Sequence, residues 1–235
     1  EAQRLEHAEG LRTAAQVAQQ CVAGGVEATD ETPDATVLLG TARRTLEAQA
    51  GTDPALVPGP ATIWQVESGD TLAPGKPVTL RWDNGAGQVF RRTYELDDKF
   101  LFTVTQTLEN KGTAPFSAAP YGILARHGKP DTQNYFVLHE GAVGMTDGKL
   151  VEQKYKDMPD LAAVAGEGPA ELISVQENGW IGFTDKYWMT TLAPAPGQSF
   201  TAVVKYAPGA DIYQTETRMP VQTVAPGATA STAST

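Results

Sequence analysis

From residue 61 to residue 224, apolar and polar positions alternate in short runs, each closed by a cluster of turn-forming residues. Val78, Leu80 and Trp82 interleave with Thr79, Arg81 and Asp83, the period of two that marks a half-buried strand. Asp83-Asn84-Gly85-Ala86-Gly87 reverses the chain. The return strand carries Phe90, Tyr94 and Leu96 on one face and Arg91, Thr93 and Glu95 on the other, with Arg92 as an exception on the apolar face. After Asp97-Asp98-Lys99, the residues Phe100, Phe102, Val104 and Leu108 oppose Thr103, Thr105, Thr107 and Glu109. Tight turns between these three runs predict an antiparallel meander with one apolar and one wet face.

Further strands are predicted over 116–125 (irregular at Pro120), 135–138, 151–155, 172–175, 180–192, 200–206, 212–219 and 221–224. About twelve strands form a sheet that must curl or split into packed layers, which predicts an all-β, mainly antiparallel sandwich. The first 60 residues have a different texture. Leu5, Ala8, Leu11, Ala15 and Ala18 recur at helical spacing, and 37–50 predicts a second short helix stopped by Gly51. The segment 52–60 holds three prolines and reads as a linker. The predicted organisation is a partly helical segment over 1–60, a β domain over 61–224, and a mobile tail over 225–235, which is small and polar.

Composition narrows the function. With 235 residues, 41% of them hydrophobic, the chain supports a sizeable core. A mean hydropathy of -0.28 and the lack of a long apolar run exclude a transmembrane helix within these residues. Glu1 is not an initiator methionine, so the chain reads as an excised or processed piece. The net charge of -10 argues against a nucleic-acid or anionic-membrane surface. The single cysteine, Cys21, excludes an internal disulfide framework and any multi-cysteine metal site.

Catalytic signals are sparse. His139-Glu140 on a strand would point to opposite faces, which disfavours a shared ion, and His7 has no ligand partner in its segment. No Gly-x-Ser-x-Gly elbow and no phosphate-cradling glycine loop occurs. Accordingly no catalytic, cofactor or metal residue is assigned. The competing enzyme reading is a sugar mutarotase, with His127 and either Glu171 or Asp185 as acid and base. A non-catalytic sugar-binding module would use Trp180 or Trp188 as its platform.

Gly179 to Pro194 contains two of the chain's four tryptophans. Its aromatic residues Trp180, Phe183, Tyr187 and Trp188 are assigned to the structural core of a hairpin. This block resembles the large periplasmic domain of the bacterial YidC insertase family. It does so together with Arg92-Thr-Tyr-Glu-Leu-Asp-Asp98, the strand Phe102 to Gly112, Tyr121-Gly-Ile-Leu124, Glu152 to Tyr155 and Gln222 to Gly227. The resemblance spans roughly residues 61–228. It implies a β-supersandwich similar to mutarotase-like sugar-binding domains, placed at the periplasmic face of the inner membrane between the first two transmembrane helices of a longer protein. It also implies that insertase activity resides in membrane-embedded helices outside this sequence. The implied partners are SecD/SecF-type accessory proteins, contacted roughly within Thr103 to Leu150, and nascent membrane proteins. Membrane attachment would come through flanking segments. Two departures stand out: residues 1–60 read as helical where the family implies early strands, and the chain stops short of the closing strand and membrane-proximal helix.

Overall fold

Period-two patterning is realised as strand after strand. The computed structural model describes residues 53–59, 62–99, 101–129, 139–185 and 189–235, and the backbone course of 35–41. In chain order the strands are β1 (Ala35–Thr41), β2 (Gln65–Ser68), β3 (Val78–Asp83), β4 (Gln88–Leu96), β5 (Phe102–Asn110) and β6 (Phe116–Ala118). They continue as β7 (Pro120–His127), β8 (Gly141–Thr146), β9 (Lys149–Lys154), β10 (Ala163–Val164), β11 (Gly168–Val175) and β12 (Gly179–Thr184). The last are β13 (Met189–Leu192), β14 (Phe200–Ala207), β15 (Ile212–Arg218), β16 (Gln222–Val224) and β17 (Thr229–Ser234). The pairings among β2 to β17 are antiparallel. Single turns of 3-10 helix occur at Pro54–Leu56 and Met158–Asp160. Among the described residues, no helix is long and apolar enough to cross a membrane.

The strands fall into two compact units, one including Thr41–Ala119 and Val221–Thr235, the other Ala28–Gly40 and Pro120–Pro220. In the first unit a five-stranded sheet runs β17-β5-β4-β3-β2, accompanied by the pair β16-β6. Trp82, Phe90, Leu108 and Ala230 form one cross-strand row on its inner face. Phe90 and Leu108 pack there with Val57, Phe116, Ala118 and Val224. Phe90 meets Phe116 edge-on at 6.2 Å and Trp82 at 5.4 Å. Arg92 lies on this same face, opposite Leu80. Its guanidinium sits 4.3 Å from the centre of the Trp64 ring, a cation–π contact that accommodates a charge on the apolar side. On the wet face, Arg91 bridges Glu67 at 2.7 Å and Glu109 at 2.8 Å.

Asn110, fully buried at the end of β5, ties the unit together. Its side-chain amide donates to the carbonyls of Ala114 at 2.8 Å and Val224 at 2.9 Å. Its side-chain oxygen accepts from Gln88 Nε2 at 3.1 Å and from the Gly112 amide at 3.0 Å. Its backbone exchanges hydrogen bonds with Ala228 and Gly227. Through side chain and backbone together, this one residue joins β4, β5, the loop after it, β16 and the turn into β17.

The second unit is a two-layer sandwich. A six-stranded sheet, β1-β7-β15-β14-β11-β10, packs against a four-stranded one, β13-β12-β8-β9. Fully buried Ile181, Ala202, Val203 and Val204 belong to its core, with Leu124, Val175 and Phe200 nearly so. Burying a side chain of this size is worth about 1.5–3 kcal/mol.

Several expectations need correction. Residues 35–41 form β1 rather than the start of a second helix. A short apolar run such as Val37-Leu38-Leu39 does not distinguish strand from helix by periodicity, and pairing beside β7 decides it. The remainder of that predicted helix, the helix over 1–23, Cys21 and the strand over 135–138 lie outside the described residues. The expected mobile tail is instead β17, paired with β5 along its length. Its low hydrophobicity misled, because backbone pairing and the packing of Ala230 on the core hold it in place. Arg126 and His127, beyond the predicted end of the strand at 125, belong to β7. Phe102, expected on the buried face of β5, is 40% exposed.

Replacing Asn110 with alanine leaves buried carbonyls and the Gln88 amide without partners. Urea denaturation is expected to show a loss of about 2–4 kcal/mol. Hydrogen exchange is expected to speed up selectively in β16 and β17.

Candidate functional site

The aromatic hairpin is built on β12, which lies between β8 and β13. Alternation along β12 sends Ile181 and Phe183 inward. Phe183, 4% exposed, stacks on Tyr155 with ring centres 5.5 Å apart and planes 16° apart. Tyr155 in turn meets Tyr213 of β15 edge-on at 5.1 Å, and Tyr213 lies 4.8 Å from Tyr206. Gly182 allows β13 to approach closely, since a Cβ there would lie 1.9 Å from the Thr190 carbonyl oxygen.

Trp180, three residues before Phe183, occupies the opposite face of the sheet. It is half-buried and pairs across to Met145, which pairs to Leu150. Leu150 is 59% exposed, so the three side chains make an apolar row open to solvent on one sheet face. Tyr187 and Trp188, the other members of the predicted aromatic core, lie outside the described residues.

The proposed acid–base residues do not converge. Asp185, just after β12, is ion-paired with Arg126 at 2.8 Å. The Arg126 guanidinium stands 6.0 Å from the centre of the Tyr155 ring. Burial, and then the neighbouring Asp185 carboxylate, push the Tyr155 phenol well above the usual tyrosine range. His127 is the next residue after Arg126 and points to the other face of β7. Glu171 shares the face of Arg126 and accepts a hydrogen bond from Gln153 at 3.2 Å. The imidazole that a mutarotase-like mechanism needs is thus separated by a sheet from both carboxylates. His139 Nε2 donates to the Ala142 carbonyl at 2.7 Å, and its Nδ1 is 4.0 Å from Glu152. Among the described residues, no group of three or more His, Cys, Asp or Glu side chains is placed to hold a metal ion.

Charged groups that the sequence pattern did not single out form a buried quartet on the six-stranded sheet. Lys205 of β14 pairs with Glu216 of β15 and, at 3.3 Å, with Glu167. Arg218 reaches Glu216 through Nε at 2.7 Å and Glu167 through Nη1 at 2.9 Å. Glu216 is only 2% exposed. Burial works against the Arg218 charge, but the hydrogen bonds to Glu167 and Glu216 outweigh it and hold its pKa above the ordinary arginine value. The signal available in sequence was a lysine inside Val203-Val204-Lys205-Tyr206 and a glutamate inside Thr215-Glu216-Thr217, each in an otherwise strand-like run.

Asp147, in the turn between β8 and β9, anchors the entry to the hairpin. Its carboxylate accepts from the backbone amides of Gln176 at 2.8 Å, Glu177 at 3.1 Å and Asn178 at 3.2 Å. Those bonds, led by the one from Gln176, hold its carboxyl below the usual aspartate range.

Comparison with known proteins adds the family. A family profile described as the YidC periplasmic domain matches residues 27–235. A relative from Paracoccus denitrificans named membrane protein insertase YidC is 86% identical over 185 residues, covering 79% of this chain and 29% of that protein. One of the same name from Jannaschia sp. is 60% identical over 176 residues, covering 74% of this chain and 28% of that protein. The chain therefore spans less than a third of the length of these relatives. A crystal structure of a galactose mutarotase related enzyme from Lactobacillus acidophilus superposes with a TM-score of 0.53 at 10% identity, covering 74% of this chain and 70% of that one. At that identity the likeness speaks for the fold: an all-β, mutarotase-like sandwich.

Two measurements test the electrostatics. Lys205→Met alone leaves Glu216 buried without its lysine and is expected to cost about 3–5 kcal/mol. Lys205→Met combined with Glu216→Leu is expected to recover most of that loss in the same denaturation assay. For Asp147, the folded pKa is depressed, so its contribution is fully present above the unfolded value of about 3.9 and is lost as pH falls through the lower folded value. Stability measured across that acidic window is expected to fall less steeply in Asp147→Asn than in the native chain.

Proposed function

Because this chain belongs to the YidC periplasmic domain family, we propose that it is the non-catalytic extracytoplasmic domain of a membrane protein insertase. It stands at the periplasmic face of the inner membrane and assists the insertion and folding of inner-membrane proteins. The insertion step itself belongs, in this reading, to membrane-embedded segments of the longer protein.

The observation that supports this reading best is the outward row Trp180, Met145 and Leu150. It offers apolar contact area open to solvent, which suits contact with a protein partner. SecD/SecF-type accessory proteins and nascent membrane proteins are the partners, and Leu150 closes the stretch Thr103 to Leu150 assigned to the Sec contact. The test is capture of SecD/SecF by the native chain and by a Trp180→Ser, Leu150→Ser variant whose fold is checked by circular dichroism. Capture is expected to fall about tenfold in the variant, the equivalent of roughly 1.4 kcal/mol. Saturable aldose binding with anomer interconversion would overturn the proposal in favour of a mutarotase-like activity.

A further inference from the structure

The turn between β4 and β5 carries the sequence Asp97-Asp98-Lys99-Phe100-Leu101-Phe102. Asp97 sets its shape: Oδ1 accepts from the amides of Lys99 and Leu101, each at 2.8 Å, and the Asp97 amide donates to the Leu101 carbonyl at 3.1 Å. The turn thereby holds apolar side chains out into solvent, with Leu101 55% and Phe102 40% exposed. The turn holding Pro74, Gly75 and Lys76 docks beside it through a 3.3 Å bond from the Gly75 amide to the Leu96 carbonyl. Lys76 and Lys99, both exposed, offset Asp97 and Asp98 at this end of the sheet.

Strand register places the chain's exit at the same end. In β17, Ser234 pairs with Val104, two residues from Phe102, so polypeptide following Thr235 leaves the sheet beside the exposed tip. We propose that this tip, Leu101 and Phe102, inserts shallowly into the lipid bilayer at the periplasmic surface and orients the domain on it. This rests on the reading of the chain as the extracytoplasmic domain of a membrane protein.

A bilayer fits better than a protein partner because, among the described residues, the apolar feature is small: Leu101 and Phe102 of a single turn. A stable protein interface needs about 800 Å² from each partner, whereas a bilayer accepts a small apolar wedge. The flanking lysines have apolar stems that can lie along the acyl boundary while their ammonium groups stay in the headgroup layer. The acidic chain gives no electrostatic attraction to anionic lipid, so neutral bilayers should suffice. Two side chains bind weakly alone, and the tip becomes effective when a tether raises its local concentration to the millimolar range.

The test uses the full chain with Cys21→Ser and a C-terminal histidine tag, held on phosphatidylcholine vesicles through nickel-chelating lipid. An environment-sensitive dye is attached at Leu101→Cys. A control carries it at Ala86→Cys, in the turn at the opposite end of β4, about 30 Å away. The expected result is a blue-shifted emission, quenched by brominated acyl chains, at 101 and not at 86. With the dye moved to Lys99→Cys, Leu101→Asp with Phe102→Asp is expected to reduce the quenching about tenfold, in line with lost apolar burial. A water-like emission at 101 would overturn the proposal, as would equal quenching at 101 and 86. So would a shift at 101 that appears only when SecD/SecF is added, since the tip would then be a protein contact. Because the tag supplies the membrane attachment, failure of the Sec capture assay leaves this outcome readable on its own.

Discussion

The stack of Phe183 on Tyr155 decides which side of the four-stranded sheet is core. Tyr155 is held in turn by Tyr213 from the six-stranded sheet, so three rings fix both the separation and the register of the two layers in that unit. Once Phe183 points inward, strand geometry leaves Trp180 no choice: three residues away, it faces out. The apolar row with Met145 and Leu150 is therefore a consequence of internal packing, not an independent surface feature. Asp147 reinforces the same choice by pinning the approach to β12.

The buried quartet and the Asn110 hub address a shared problem in different ways. Each places strongly polar groups where water is excluded, and each satisfies them completely enough to be tolerated. Asn110 uses neutral hydrogen bonds to carbonyls that would otherwise be orphaned. The quartet instead balances two cations against two carboxylates, an arrangement that contributes register more surely than it contributes net stability. A one-residue slip between β14 and β15 would turn Lys205 away from Glu216.

Much of this was legible in the chain. The alternation of β3, β4 and β5, the hairpin at 83–88 and the strand preceding the aromatic turn follow directly from period two and turn chemistry. The misses share a cause, in that each depends on a partner distant in sequence. Ala35–Thr41 is a strand because β7 lies beside it. Thr229–Ser234 is poor in apolar residues and is ordered by the edge of β5. Arg92 looked misplaced until Trp64 supplied a ring face. Lys205 and Glu216 were not singled out because only the pairing of Val203 with Glu216 brings them together. For the acid–base candidates, the decisive fact was the face of β7 on which His127 falls, which no spacing in the sequence reveals.

The five-stranded sheet is discontinuous in the chain, completed by a strand that follows β5 by more than a hundred residues of intervening polypeptide. When the chain emerges in order, at about 5–20 residues per second, the flank of β5 waits roughly 5–20 s for its neighbour. Throughout that interval it is an unpaired edge, open to any extended segment nearby. Assembly must therefore be late-closing: the stretch between can settle first, and only Thr229–Ser234 seal the earlier sheet. Loss of Thr229–Ser234 would leave the rest of the sheet's strands in place while withholding the one that silences the flank of β5.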